Sequence, residues 1–206
     1  MKPMGRHFVG FLALSLTLAA GANSLGAQEV SVRGETPVLL TSCGQSPGPT
    51  MVKLFLGRLQ LDHELIAQAT AQDLLDRQSA GTPVRSLLIV TGASLKGMGA
   101  AGTSMREELI RTEALIAEAR RQGITIIAAH VEGMDRRAQG AAEGDNSDEQ
   151  SIDAVMPFAD VMVVRQDGNE DRRFTVLSQA EGVPLVLYEK NMEMGDALSK
   201  VLGSGN

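Results

Sequence analysis

The sequence predicts an α/β fold: a three-layer α/β/α sandwich around a mostly parallel sheet of five or six strands, flavodoxin-like or Rossmann-like in plan. Three observations predict it. Short apolar runs recur along the chain, segments of helical periodicity separate them almost without exception, and the uncommon polar residues gather just behind the runs.

The first residues read as a leader. Lys2 and Arg6 give a positive start, Phe8 to Ala20 is apolar, and Ala20-Gly21-Ala22 supplies the small residues of a cleavage site. A bilayer-spanning helix needs about 20 apolar residues, so the run is too short for an anchor. The expectation is a signal peptide over residues 1–22, with cleavage as late as Ala27 as the alternative. A flexible mature N-terminus over 23–35, one α/β domain over 36–202 and a tail over 203–206 follow. The leader carries Lys2, Arg6 and no acid, so its removal takes the formal net charge from −6 to −8. That charge opposes a nucleic-acid partner. No later run approaches spanning length, so stable membrane insertion is not expected either.

The strands come next. "PVLLT" (37–41), "SLLIVT" (86–91), "ITIIAAHV" (124–131), "VMVV" (161–164) and "PLVLY" (184–188) do not alternate polar with apolar, which suits strands buried on both faces. "HELIAQ" (63–68) reads as a shorter edge strand. Between them, Met105, Leu109, Thr112, Ile116 and Ala119 mark one helix face ending before Gly123, opened by a capping box of Ser104 with Glu107. Ser147 with Gln150 reads as a second box, for a helix running to about Ala159. Thr70 opens "TAQDLLDRQ", and "MGDALSKVL" closes the chain as a helix. Residues 134–146 form one long polar loop.

In parallel sheets ligands bind at the carboxyl ends of the strands. Here that rim is Ser42 to Ser46, Gly92 to Thr103, His130 to Gly133, Asp167 to Asn169, and Glu189-Lys190. Gly97, Gly99 and Gly102 spell GxGxxG, yet the run carrying them is not the first strand. Glu132 ends the next strand but lies further on than the usual acid at about 20 residues. The sole tyrosine reads Tyr188-Glu189-Lys190 rather than YxxxK, so no nicotinamide cofactor is expected. Glycines before a capped helix favour an anion instead, or simply let the loop turn. Cys43, His130 and Asp167 each follow a different strand and form a nucleophile alternative, against which stands the usual role of a lone cysteine as a small buried hydrophobe. A single cysteine also excludes an internal disulfide. "DGNED" (167–171) imitates a calcium loop but has Arg172 in place of the turn glycine, and no zinc spacing exists, so no metal is expected. With Phe55, Phe158, Phe174 and Tyr188 as the only aromatics past the leader, sugar and flavin sites lose their stacking faces.

Taken together, "TPVLLTSCGQSP", "GASLKGMGAAG", "GITIIAAHVEG", "NSDEQSID" and "ADVMVVRQDGNEDRRFT" resemble an exported bacterial family catalogued as domain of unknown function 6305, over residues 36 to 202. The resemblance implies a secreted α/β protein and carries no activity with it. It implies as site candidates Ser42, Gly44, Gln45, Ser46, Gly92, Ser94, Lys96, Gly97, Gly99, Gly102, His130, Arg137, Asn146, Ser147, Asp167, Gly168 and Asn169. The leading expectation is a periplasmic or secreted protein that holds a small polar solute, anionic or zwitterionic, as an accessory to an envelope transporter or sensor. Ser42, Gln45, Ser94, Lys96 and the helix opening at Ser104 would take a carboxylate, and Glu132 or Asp167 an ammonium group. A hydrolase using Cys43 and a purely structural or interaction module are the alternatives.

Overall fold

Apolar runs buried on both faces must pair side by side, and in the computed structural model, which describes residues 33–138 and 146–204, six of them do. The strands are β1 (Val38–Cys43), β2 (His63–Leu65), β3 (Ser86–Thr91), β4 (Thr125–His130), β5 (Val161–Arg165) and β6 (Leu185–Tyr188). All pairings are parallel, in the order β2-β1-β3-β4-β5-β6. Every residue of β1 and β3 is buried, whereas β2 at one edge is not, matching its more polar sequence.

Alternate residues of each strand point to opposite faces and build two cores. One packs Leu39, Leu87, Ile89, Ile126 and Met162 with Phe174 under α2 (Ala71–Ser79), α4 (Met105–Arg121), α5 (Ser147–Asp153) and α6 (Arg173–Glu181). The other packs Leu40, Leu88, Val90, Ile127 and Val163 under α1 (Gly48–Arg58) and α7 (Met194–Leu202). The three-layer expectation stands, with six strands among the described residues, all of them parallel.

Local chemistry explains the helix ends. Thr70 and Ser104 each complete a capping box, with Asp73 and Glu107 respectively. The cap of α5 lies one residue earlier than expected: Asn146 Oδ1, not Ser147, accepts the Glu149 N–H at 3.1 Å. It also ends sooner, at Asp153, because the chain turns through a short 3-10 segment at Met156–Phe158, containing Pro157, that buries Met156 with the flanking Val155 and Ala159. The glycine-rich stretch expected to be a loop contains a short helix, α3 (Leu95–Ala101), capped by Ser94 and closed by Gly102 at φ 68°. Within the N-terminal segment expected to be flexible, Gly34 donates to the Val201 carbonyl at 2.9 Å and Glu35 to Ser86 Oγ at 2.8 Å. The leader, residues 23–32 and the middle of the 134–146 loop lie outside the described residues. Among those described, no helix is long and apolar enough to cross a membrane.

Candidate functional site

The order β2-β1-β3 places the topological switch between β1 and β3, where loops leaving the two strand ends separate and a crevice is expected. Here the two loops are tied together. Gln45 and Ala93 form an isolated antiparallel bridge, and Ser94 N–H donates to the Gly44 carbonyl at 2.7 Å. Their outward N–H groups, which would otherwise attract an anion, meet the protein's own carboxylates. Glu108 Oε2 accepts from Gly44 N at 2.9 Å and from Gln45 Nε2 at 3.0 Å. Glu132 Oε2 sits 3.2 Å from Gly48 N at the start of α1, and Asp148 Oδ1 lies 2.7 Å from Ala93 N. Arginines fix these acids in turn. Arg111 pairs with Glu108 at 2.8 Å and donates to the Ser42 carbonyl, while Arg136 bridges Glu132 and the Ala93 carbonyl.

The residues expected to form a carboxylate receptor are largely engaged within the protein. Ser42 is buried with its Oγ unpartnered, Ser94 Oγ accepts from Gly97 N, and Lys96 lies exposed on α3. Ser46 Oγ accepts from Gly48 N, and Ser104 gives both its N–H and its hydroxyl to Glu107. Glu132, expected to receive an ammonium group, is buried against Arg136 and Gly48. A carboxylate tethered at contact distance outcompetes a free solute through its effective concentration.

The glycines follow the same logic. A Cβ on Gly44 would meet the Gly92 carbonyl, one on Gly97 the Gln45 carbonyl, and one on Gly168 the His130 ring. Gly92 lies at φ 134° with the Arg136 side chain against it. Their missing side chains make room for neighbouring protein atoms. Gly99 has open space and an ordinary helical backbone, so nothing local requires it.

Cys43, His130 and Asp167 are not assembled as a nucleophilic chain. Cys43 is fully buried in the core under α4, and burial pushes its thiol pKa up. His130 spends Nδ1 on Thr91 Oγ1 at 3.1 Å and Nε2 on the Gly133 carbonyl at 3.0 Å, with Phe174 stacked 5.0 Å away. A carbonyl only accepts, which assigns the imidazole proton to Nε2 and leaves Nδ1 an acceptor; the one Thr91 hydroxyl proton is shared between Nδ1 at 3.1 Å and the Ala129 carbonyl at 3.2 Å. Burial holds its pKa down at about 4, so at neutral pH the ring is uncharged. Asp167 is turned to Arg165, whose guanidinium contacts it at 2.7 Å and holds its pKa below the usual carboxylate range.

Arg137 is a structural tie. Its side chain is 1% exposed and pairs with the fully buried Glu149 at 2.6 Å and with Asp171 at 2.5 Å. It donates as well to the Gly168 carbonyl, next to His130. Arg173 extends the cluster to Asp153. Ser147 opens α5 without a capping role, and Asn169 Oδ1 accepts from Phe174 N and Thr175 N, which secures the first turn of α6.

Among the described residues the rim opens widest at the ends of β5 and β6. A groove of about 620 Å³ there is lined by Gln166, Asp167, Asn169, Glu170, Arg172, Thr175, Leu187 and Glu189. Of the residues expected at the site, it collects Asp167 and Asn169. Glu170, Arg172, Thr175 and Leu187 were not singled out from sequence, although Arg172 carried a signal: it occupied a glycine position, and it stands at φ 62°, where side chains are disfavoured. Its guanidinium has no partner among the described residues, and three carboxylates share the groove with it. Among the described residues no group of three or more His, Cys, Asp or Glu is placed to hold a metal.

A search of the curated proteins finds no match. Solved structures similar to this chain include a GDSL-like lipase from Bacteroides thetaiotaomicron, at 18% identity, 73% of this chain, 67% of that one and a TM-score of 0.32. An esterase from Pseudoalteromonas sp. matches at 11% identity, over 80% of this chain and 94% of that one, with a TM-score of 0.32. Likenesses this distant say nothing of the chemistry performed here. The sequence itself is more decisive: over residues 35–202 it matches the family described as domain of unknown function (DUF6305), and the chain belongs to that family.

Proposed function

We propose that the domain binds a small zwitterionic solute in the groove at the ends of β5 and β6. One observation carries this reading: an unpaired Arg172 guanidinium, held at φ 62°, faces a groove that also contains Asp167, Glu170 and Glu189. Backbone strain of this kind costs on the order of 1 kcal/mol and concentrates at functional positions. The first N–H groups of α6 give no help to an anion, since Asp171 and Asn169 already accept from them. Arg172 is then the natural partner of a ligand carboxylate, and Glu170 and Glu189 of an ammonium group, since Asp167 is already held by Arg165. A purely anionic solute would meet net repulsion, which narrows the wider expectation to zwitterions. The leader-like N-terminus supports a secreted setting with an envelope transporter or sensor as partner, and N-terminal sequencing of the secreted chain beginning near Asn23 or Gln28 would test it.

The binding test is thermal unfolding against amino acids and betaines, with phosphate and dicarboxylates as controls. A zwitterion at a hundredfold excess over its Kd should add about 2.7 kcal/mol. Arg172→Gly should abolish that gain while leaving the free protein as stable or more so, because glycine accepts the left-handed backbone. Stabilisation by simple anions alone, no stabilisation at all, or an Arg172→Gly protein that binds as tightly as wild type would each refute the reading.

A further inference from the structure

One side of α4, next to α5, is left uncovered by the described elements. Beside α5 it opens a groove of about 720 Å³ walled by Leu109, Ile116, Ala117, Ala154 and Phe158. Phe158 stands 45% exposed in this groove, and Ile110, elsewhere on α4, is 58% exposed. Water contact at these side chains is unfavourable, and a cluster of them rimmed by charge marks a contact surface.

The charges decide what covers it. Glu113 and Arg120 line the groove, and neither has an ion-pair partner among the described residues; Arg120 donates to the Phe158 carbonyl at 3.0 Å. They are seven residues apart, two turns along one helix face and ~10 Å in rise. A two-fold axis passing the helix midway between them, level with Ile116 and Ala117, would run two α4 helices antiparallel. Glu113 would then face the partner's Arg120, and Arg120 the partner's Glu113. The small Ala117 at the crossing lets the helices approach to the usual 8–10 Å. We propose, independently of the solute reading, that this face is the interface of a two-fold dimer with a second copy of the chain. Self-complementarity is what such an interface requires: the same patch must satisfy itself.

The test is sedimentation equilibrium of the full chain across the micromolar range, with circular dichroism to confirm folding. Wild type should dimerise with a concentration-dependent mass. Glu113→Arg and Arg120→Glu should each raise the dimer Kd by about tenfold or more, because the two-fold repeats every substitution on both sides. The double variant Glu113→Arg/Arg120→Glu restores opposite charges and should return the Kd to near the wild-type value. A chain that stays monomeric overturns the proposal, whether its own N-terminal segment or another protein fills the groove. So does a dimer indifferent to the single reversals, or one that the double reversal leaves broken.

Discussion

His130 shows how one side chain can be essential without being chemical. Its ring is buried, spends both nitrogens on protein partners, and is held neutral with a pKa of about 4. Arg137 and Arg165 approach it from two other elements, with Asp167 beside them, so a proton on the ring would join an already cationic neighbourhood. In the unfolded chain the same ring titrates near 6.5. Above that pH both states are neutral and nothing is lost. Between 6.5 and 4 the unfolded state takes a proton that the native state refuses, so stability must fall as pH falls. The gap corresponds to roughly 3 kcal/mol. Denaturant unfolding at stepped pH should show this loss, and His130→Gln, whose amide can still donate to Gly133, should flatten it. A wild-type profile level over that window would remove His130 from the account.

At the scale of elements, the strands other than β2 were legible because each is a continuous apolar run, and no other element of this fold demands one. α2 and α4 were legible from their caps and α4 from its periodic face too. α1, α3 and α6 were not. α1 carries the stripe Val52, Phe55, Leu56, but its opening Pro47-Gly48-Pro49 reads as a turn; α3 contains Gly97 and Gly99, and α6 buries only Phe174, so neither of these shows a stripe. The candidate site was legible as a rim and illegible as a structure. Its carboxylates arrive from α4, the end of β4 and α5, and only long-range contacts bring them to Gly44, Gly48 and Ala93. One clue existed: Glu108 shares a helix face with Thr112, Leu115 and Ala119, all buried, and a carboxylate there must find donors. α3 supplies the element-scale prediction. Gly99→Ala meets open space in a helical backbone and should raise stability by about 0.5–1 kcal/mol, whereas Gly97→Ala should lower it against the Gln45 carbonyl. Equal effects in chemical denaturation would show that α3 is not held as described.

For the whole molecule, the sheet fixes where six strand ends emerge, and long-range ion pairs decide which stay available. The acids that occupy the β1 and β3 loops can be regarded as ligands built into the polypeptide, so the rim resembles a receptor folded around its own occupants. Removing one should leave a vacancy shaped for a carboxylate. Glu108→Ala strips the partner from Arg111, whose side chain is only 11% exposed, and orphans the Gly44 N–H, a loss of about 3–5 kcal/mol. Formate or acetate should then recover part of the lost melting temperature in Glu108→Ala while leaving wild type unchanged, and an equal response in both would show that the vacancy had collapsed. The same self-occupation gives this rim a way to change from a closed scaffold into an anion receptor by the shortening of a single side chain.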